Sequence, residues 1–235
     1  MKILLISGHG AGDSGAVGCG FAEADLTRKA TYILEGKLRE YALSVVRYST
    51  ARDCFQDLRD GVSVNLNFDL VVEVHFNAGV PSAHGTEVLY RDKRCASVAS
   101  DICKAIASRG FTNRGAKLRT DLRVMNTCFR AGVPHILIET CFITSSEDMG
   151  RYERCLYSLW GDVAEAICSR YGIKKLASSG SSVGTDKTSK VYATGVVKCY
   201  GTHGKGTDMV WYVDPDRKVS IPAKFVLNKK TEGVK

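Results

Sequence analysis

Four polar residues of this sequence stand where predicted strands and a helix meet, and their types suit metal binding or proton transfer. His9 follows the first apolar segment, His75 closes the third, and Glu139 lies near the end of a later one. In open parallel sheets, ligands bind in the crevice beyond the carboxyl ends of the strands. Glu23 begins a predicted amphipathic helix and faces the same edge if that helix packs back over the first strand. These four residues form a candidate site.

Each of the four residues also has a simpler interpretation when taken alone. A single histidine at a strand end is more often a hydrogen-bonded structural residue than a ligand. Glu23 fits a helix N-terminal acid stabilised by the macrodipole, and Glu139 fits an ion pair with a nearby arginine. The chain has no HExxH sequence, which is the commonest signature of zinc proteases. Spacing alone therefore leaves the chemistry of the site open.

The segments that must position these residues alternate between strand and helix patterns. Apolar residues recur every three or four positions in 26–41, 95–106 and 152–171, which predicts three amphipathic helices. The predicted strands are 3–7, 45–48, 69–76, 85–90 and 135–140. This alternation predicts an α/β fold with a twisted, mostly parallel sheet flanked by helices.

The last quarter of the chain differs from the rest in composition and charge. Residues 174–190 are rich in Ser, Gly, Thr and Lys, which predicts a linker, and short β-prone runs in 191–235 predict a small all-β module. The net charge of +8 is concentrated here, since residues 174–235 hold 12 Lys and Arg against 5 Asp and Glu. Such a patch favours a polyanion, and nucleic acid, an anionic membrane and an acidic wall polymer all satisfy that description.

Composition argues against several other classes of protein. No apolar run approaches the ~20 residues that a membrane helix needs. The apolar N-terminal stretch, Ile3–Ile6, is shorter than the about 7–15 residues of a signal-peptide core, so we expect synthesis in the cytoplasm without a cleaved export signal. The nine cysteines are odd in number and have no paired spacing, which indicates reduced thiols rather than a disulfide framework.

Six segments of residues 1–173 occur in the order and at the intervals typical of one enzyme family. They are 8–16 around His9, Glu23, 73–78, 85–88, 113–117 and 138–143. Together they resemble the Amidase_3 type of N-acetylmuramoyl-L-alanine amidases, which occur in bacterial autolysins and phage endolysins. The first segment lacks the Pro usual before Gly-His, and Thr140-Cys141 stands where a Gly is common. Neither departure removes a residue of the candidate site.

The resemblance implies a zinc-dependent hydrolase that cuts the amide between N-acetylmuramic acid and L-alanine in peptidoglycan, with 1–173 as the catalytic domain. The zinc ligands it implies are His9, Glu23 and His75, and the catalytic carboxylate is Glu139. Five further residues match family positions near the groove that takes the substrate. They are Asn77, Glu87, Asn113, Arg114 and Lys117.

The remaining histidines, His84, His135 and His203, match no ligand position, and we interpret them as surface, structural or loop residues. In endolysins of this family a C-terminal module commonly binds the cell wall. Four aromatic residues among the basic residues of the tail suit that role: Tyr192, Tyr200, Trp211 and Tyr212. The alternative is a basic stability domain with those rings in its own core. A nucleic-acid partner is not expected, because only charge supports it.

The biological role favoured at this point is a phage or prophage endolysin, made in the bacterial cytoplasm and acting on the wall after release. A host autolysin and a sporulation amidase are alternatives with the same chemistry. A different zinc amidohydrolase on the same scaffold and a non-enzymatic wall-binding protein are alternatives with different chemistry.

Overall fold

The site is built on a six-stranded sheet whose strands come from the first 142 residues. The computed structural model describes residues 1–49, 51–80, 82–176, 198–199, 211–213 and 220–222. The first eight strands are β1 (Lys2–Ser7), β2 (Val17–Gly18), β3 (Phe21–Ala22), β4 (Ser44–Arg47), β5 (Leu70–Asn77), β6 (Thr86–Tyr90), β7 (Asn113–Leu118) and β8 (His135–Phe142). β2 and β3 pair only with each other, and the other six form the sheet in the order β4-β1-β5-β8-β6-β7.

Neighbouring strands of the large sheet run parallel except at one junction. β4, β1, β5 and β8 are parallel, and β6 runs antiparallel to β8 and parallel to β7. The predicted α/β fold with a mostly parallel sheet is confirmed. The parallel strands β1, β5 and β8 end at the same edge, and the chain therefore brings the ends of three separate sequence segments together.

Helices cover both faces of the sheet. They are α1 (Glu23–Leu38), α2 (Cys54–Arg59), α3 (Ala96–Ala107), α4 (Arg123–Arg130) and α5 (Ser146–Arg170). α1, α3 and α5 pack on one face in a core that includes Leu34, Ile102 and Trp160. The short α2 and α4 pack on the other face through Cys54, Val124 and Cys128. No helix among the described ranges is long and apolar enough to cross a membrane.

Alternation along β5 divides its side chains between the two faces. Val72, Val74 and Phe76 join the core under α1, α3 and α5. Glu73 and His75 therefore point to the face of α2 and α4, because successive side chains of a strand point to opposite sides. The register pairs His75 with Glu139 of β8, which places these two side chains beside each other on that second face.

Several elements differ from the sequence-based expectation. The closing helix begins at Ser146 rather than 152, because Ser145 caps it by accepting a hydrogen bond from the Asp148 N–H. β7 and α4 were not predicted. The β7 sequence, NRGAKL, has no apolar alternation, and only three residues of α4 are buried. Tertiary packing therefore determines β7, whereas α4 is a short amphipathic helix whose buried residues, Val124, Met125 and Cys128, lie on one face.

The C-terminal part is described only in three short strands, β9 (Lys198–Cys199), β10 (Trp211–Val213) and β11 (Ser220–Pro222). They form an antiparallel sheet in the order β11-β10-β9. The chain divides into compact units at Ser178/Ser179. Most of the predicted linker and module, including Tyr192, Tyr200 and His203, lies outside the described residues.

The loop that follows the Glu139 strand is fixed by a buried carboxylate. Asp148 Oδ2 accepts hydrogen bonds from the backbone N–H groups of Gly85, at 2.8 Å, and Phe142, at 2.9 Å. Gly85 has a φ of +100°, and a β-carbon there would lie 2.4 Å from the Thr112 carbonyl oxygen. Asp148 therefore holds the start of β6 and the end of β8 in register beside the site.

Candidate metal site and groove

Three of the predicted site residues converge on one point at the edge of the sheet. Glu23 Oε1 lies 2.9 Å from His75 Nδ1, and Glu23 Oε2 lies 3.2 Å from His9 Nε2. One potential ligand atom from each of the three residues lies within 4.8 Å of the other two. Two imidazole nitrogens and a carboxylate oxygen at such separations are a donor set that binds a divalent transition metal.

The backbone fixes each of these side chains from a different element. His9 follows β1 and has a φ of +63°, so the chain turns sharply at the strand end. Glu23 is the first residue of α1, and its oxygens also accept hydrogen bonds from the N–H groups of Ala16 and Phe76, both at 3.0 Å. Because Glu23 is held by four partners, its carboxylate has a defined position before any ligand arrives.

A second carboxylate stands behind each histidine. Asp13 Oδ2 lies 2.9 Å from His9 Nδ1, and Glu73 Oε1 lies 3.2 Å from His75 Nε2. An ionised carboxylate only accepts hydrogen bonds, so Asp13 and Glu73 each keep a hydrogen on the ring nitrogen that they contact, and the nitrogen that faces Glu23 is the one at which a metal ion can replace a proton. Sequence reasoning did not assign roles to Asp13 or Glu73. The sequence does contain a sign of Glu73: it is a charged residue in an apolar strand. It stands two positions before His75, so its side chain lies on the same face of the strand as that of His75.

The electrostatics of the cluster favour positive charge between the carboxylates. Burial acts to raise the pKa of Glu23, but hydrogen bonds with His75 and His9 outweigh it and the pKa is lowered. Burial acts to lower the pKa of His75, but Glu23 and Glu73 outweigh it and the pKa is raised well above its ordinary value. The hydrogen bond with Glu23 also raises the pKa of His9. A metal cation bound here takes the place of the protons that these rings otherwise attract.

Glu139 lies beside the cluster without belonging to it. It is opposite His75 on β5 and opposite Glu87 on β6. Burial raises the pKa of Glu139 to about 7; His75 opposes this shift, and the charges of Glu23 and Glu87 add to it. Its Oε2 atom is covered and has no hydrogen-bond partner within the described part of the chain. A half-buried carboxyl group with a pKa near neutrality is equipped to accept a proton.

A groove of about 650 Å³ opens over this face of the sheet. His75 and Glu139 line it together with the apolar side chains of Leu89 and Leu137, and Arg123 of α4 contributes to its wall. The volume falls within the range of roughly 300–1,000 Å³ that is typical of ligand sites. The two histidines of the cluster and Glu139 therefore line one space large enough for a substrate.

Four of the five residues expected near the groove form a charged cluster around Glu87, which is buried. Glu87 Oε2 accepts from Arg114 Nε at 2.7 Å and from Lys117 Nζ at 2.6 Å, and Asn77 Nδ2 lies 3.4 Å from Glu87 Oε1. The fifth, Asn113, is not part of this cluster: its side chain accepts a hydrogen bond from the Gly115 N–H within β7.

The other two described histidines do not contribute a ligand atom to the cluster. His84 is in an exposed loop, where its Nδ1 lies 2.8 Å from the Ser82 carbonyl oxygen. His135 is buried in β8, and its Nε2 lies 2.9 Å from Glu73 Oε2. Of the predicted surface or structural roles, His84 has the first and His135 the second.

Comparison with known proteins shows the family of this chain. A family profile described as N-acetylmuramoyl-L-alanine amidase matches residues 3–169. A Staphylococcus aureus protein named "Probable autolysin PH" is 33% identical over 165 residues, which cover 63% of this chain and 34% of that protein. The N-acetylmuramoyl-L-alanine amidase LytC of Bacillus subtilis is 28% identical over 163 residues, which cover 66% of this chain and 32% of LytC. The chain thus spans about a third of the length of these two relatives.

A solved structure shows the same fold. The catalytic domain of CwlV, an N-acetylmuramoyl-L-alanine amidase from Bacillus (Paenibacillus) polymyxa, superposes with a TM-score of 0.64 at 23% identity. The match covers 74% of this chain and 99% of that domain. At this level of identity the similarity concerns the fold.

Two glycines allow the histidine rings to lie against the backbone. A β-carbon at Gly8 would lie 2.3–2.6 Å from three atoms of the His75 ring, and one at Gly15 would lie 2.6 Å from the His9 ring. Separations below 3.0 Å force one group to move, and these rings are also held by carboxylates. Both glycines are therefore required by the geometry of the cluster.

We expect Gly8→Ala to weaken the binding of a divalent metal such as zinc by about tenfold or more, because the new methyl group pushes His75 away from Glu23. Competition with a chromophoric chelator measures this affinity. Gly36→Ala is the matched control, since Gly36 of α1 has open space at its β-carbon position and is exposed. Equal affinities of the two variants would show that the Gly8 contact does not position the ring.

Proposed function

The chain belongs to the N-acetylmuramoyl-L-alanine amidase family, and from this we propose that it hydrolyses the amide between N-acetylmuramic acid and L-alanine in bacterial peptidoglycan with a bound zinc ion. One observation carries the proposal. His9 and His75, which share the buried Glu23 carboxylate, line the same groove as the separate carboxyl group of Glu139, at the ends of parallel strands. This arrangement combines a metal-binding donor set with a proton acceptor.

The residues present fit zinc better than a hard cation. Calcium and magnesium prefer oxygen ligands, whereas two imidazoles and one carboxylate are a ligand set of catalytic zinc sites. Three protein ligands leave a coordination position for water or substrate, which distinguishes catalytic from structural zinc sites. Asp13 and Glu73 supply the orienting hydrogen bonds that zinc-binding histidines usually make.

The chemistry divides between the metal and the side chains of the groove. When bound, zinc supplies a nucleophile at neutral pH by lowering the pKa of water to about 7, and it polarises the amide carbonyl. His9 and His75 present one nitrogen each, and Asp13 and Glu73 hold the other nitrogen protonated. Glu139 accepts the proton of the attacking water and delivers it to the leaving amine of L-alanine.

The position of Glu139 suits both halves of this proton transfer. Burial holds its pKa near 7, so that the protonated and ionised forms are close in free energy at neutral pH. A nearby dication favours the ionised form, which is the form that acts as a base. The Glu139 side chain lines the groove and is only partly buried, so a water molecule in the groove can reach its carboxyl group.

The Glu87 cluster supports a role in positioning the acidic peptide stem of the substrate. Glu87 accepts from the Nε atom of Arg114 and lies against Lys117 Nζ, which neutralises the buried carboxylate. The terminal Arg114 nitrogens make no hydrogen bond to any described residue, and the guanidinium stacks over the Phe142 ring at 4.9 Å. A guanidinium held this way can pair with a substrate carboxylate through its two terminal nitrogens. We extend the same positioning role, on the family resemblance alone, to Asn77 and Asn113.

We expect Glu139→Gln to lower the rate of cell-wall hydrolysis by about 10²–10⁴-fold, because an amide of similar shape does not accept the water proton. The variant should bind zinc as tightly as the native chain, since Glu139 contributes no ligand atom. Wall turbidity gives the rate, and chelator competition gives the affinity.

Glu147→Gln is the matched control for this experiment, because Glu147 is an exposed carboxylate in the first turn of α5. It should retain the native rate. Native activity in Glu139→Gln would remove Glu139 from the mechanism. A wall-binding protein without catalysis would show no rate in the native chain either.

We expect Arg114→Gln to raise KM for a soluble N-acetylmuramoyl peptide by roughly 10-fold while kcat changes less, since one charge-assisted hydrogen bond to the substrate is lost. Steady-state kinetics measure both constants. Lys104→Gln removes the same charge from an exposed site on α3, on the opposite face of the sheet. An equal rise of KM in both variants would point to net charge rather than to the Arg114 contact.

The biological setting stays a prediction. An endolysin that is made in the bacterial cytoplasm and reaches the wall after release is the role we favour, and a host autolysin or a sporulation amidase would use the same site. The wall-binding role of residues 191–235 likewise stays a prediction, based on the family resemblance and on the aromatic and basic residues of this segment.

A further inference from the structure

A buried carboxylate in the middle of β5 is hydrogen-bonded to two histidines at once. Glu73 is 5% exposed and lies between Val72 and Val74, which are fully buried. Its Oε1 atom lies 3.2 Å from His75 Nε2, and its Oε2 atom lies 2.9 Å from His135 Nε2. The three side chains thus form a continuous chain that ends at the metal-binding cluster.

The outer member of this chain contributes no ligand atom to the cluster. His135 is 1% exposed on β8, and its Nδ1 atom has no partner among the described residues. Its one side-chain hydrogen bond is to Glu73. In the β5–β8 register His135 lies opposite Val71. Val71 and Glu73 are two positions apart on β5, so the side chains of Glu73 and His135 lie on the same face of the sheet. Among the described residues, the His135 side chain therefore forms a hydrogen bond with Glu73 only.

The chemistry of the three groups determines where the hydrogens lie. A carboxylate has only acceptor oxygens, so both Nε2 atoms must carry the hydrogens that Glu73 receives. The other ring nitrogen of His75, Nδ1, faces Glu23 at 2.9 Å, and this is the nitrogen at which a metal ion can replace the hydrogen while Glu73 keeps the one on Nε2. We propose that Glu73, held in place by His135, is a positioning residue that makes Nδ1 the metal-binding atom of His75. This inference rests on the zinc site of the proposed function.

A purely structural role for the pair makes a different prediction. Buried ion pairs are often replaced by apolar residues of similar volume without loss of stability. If Glu73 and His135 serve only the fold, the double variant Glu73→Leu with His135→Phe should fold and bind zinc like the native chain. If they position His75, this double variant should fold but bind zinc weakly.

The decisive experiment measures the zinc affinity of the full chain by chelator competition, with the visible spectrum of the Co²⁺-substituted protein as a second readout. We expect Glu73→Gln to weaken zinc binding by about 10–100-fold and to change the Co²⁺ spectrum, because the two histidines contact different oxygens of Glu73 and glutamine replaces one of these acceptors by an NH2 donor. Glu35→Gln is the matched control. Glu35 is a largely buried carboxylate of α1 that pairs with Arg39 and Arg47, about 18 Å along the helix from Glu23, and its loss should leave the affinity unchanged.

Two substitutions at the outer histidine test the chain independently. His135→Phe removes the donor to Glu73 and should weaken zinc binding, whereas His135→Gln retains an N–H of similar reach and should restore the affinity to within about threefold of the native value. This pair decides the matter if Glu73→Gln does not fold, as judged by circular dichroism.

The outcomes distinguish failure of the zinc proposal from failure of the positioning role of Glu73. A native chain that binds no zinc overturns the zinc proposal and this inference with it. A native chain that binds zinc, with Glu73→Gln or His135→Phe binding equally well, overturns the positioning role alone and leaves the proposed function standing.

Discussion

The carboxylate of Glu23 is shared by two histidines and by the backbone of two further segments. It joins His9 after β1 to His75 of β5, and it accepts from the N–H groups of Ala16 and Phe76. These contacts fix the first turn of α1 over the ends of the central strands. A carboxylate that is almost fully covered requires such partners, because an unpaired buried charge costs several kcal/mol. The end of β1, the end of β5 and the first turn of α1 are thus arranged so that the Glu23 carboxylate has hydrogen-bond partners.

The same constraint explains the concentration of acidic groups around the two rings. In each ring one nitrogen faces Glu23 and the other is hydrogen-bonded to a second carboxylate, Asp13 for His9 and Glu73 for His75. The rings therefore cannot rotate freely. Glu139 is the exception, because its side chain forms no ion pair with any residue that the structure describes and burial raises its pKa. Two environments a few ångströms apart thus produce carboxylates with opposite tendencies, one group that attracts a cation and one that exchanges protons.

Apolar periodicity predicted the α/β fold and placed His9 and His75 at the same edge of the sheet. Glu23 joined them only on the condition that its helix packs back over the first strand, and the ligand set itself came from the family resemblance. The alternation of side chains along β5 also indicates that Glu73 lies on the same face as His75. The sequence did not show that Arg114 donates a hydrogen bond to Glu87, whereas the Asn113 side chain accepts one from the nearby Gly115 N–H. Adjacent strand residues differ in face, and the register of a strand without an apolar pattern is set only by its neighbours.

The central claim is that this groove cleaves the amide of peptidoglycan and needs zinc to do so. The most direct measurement is the product chemistry of purified bacterial walls treated with the full chain, with and without a chelator. The account predicts new N-terminal alanine, no new reducing sugar ends, loss of the reaction with chelator and recovery on adding zinc. New reducing ends, or release of N-terminal alanine that chelation does not affect, would contradict it.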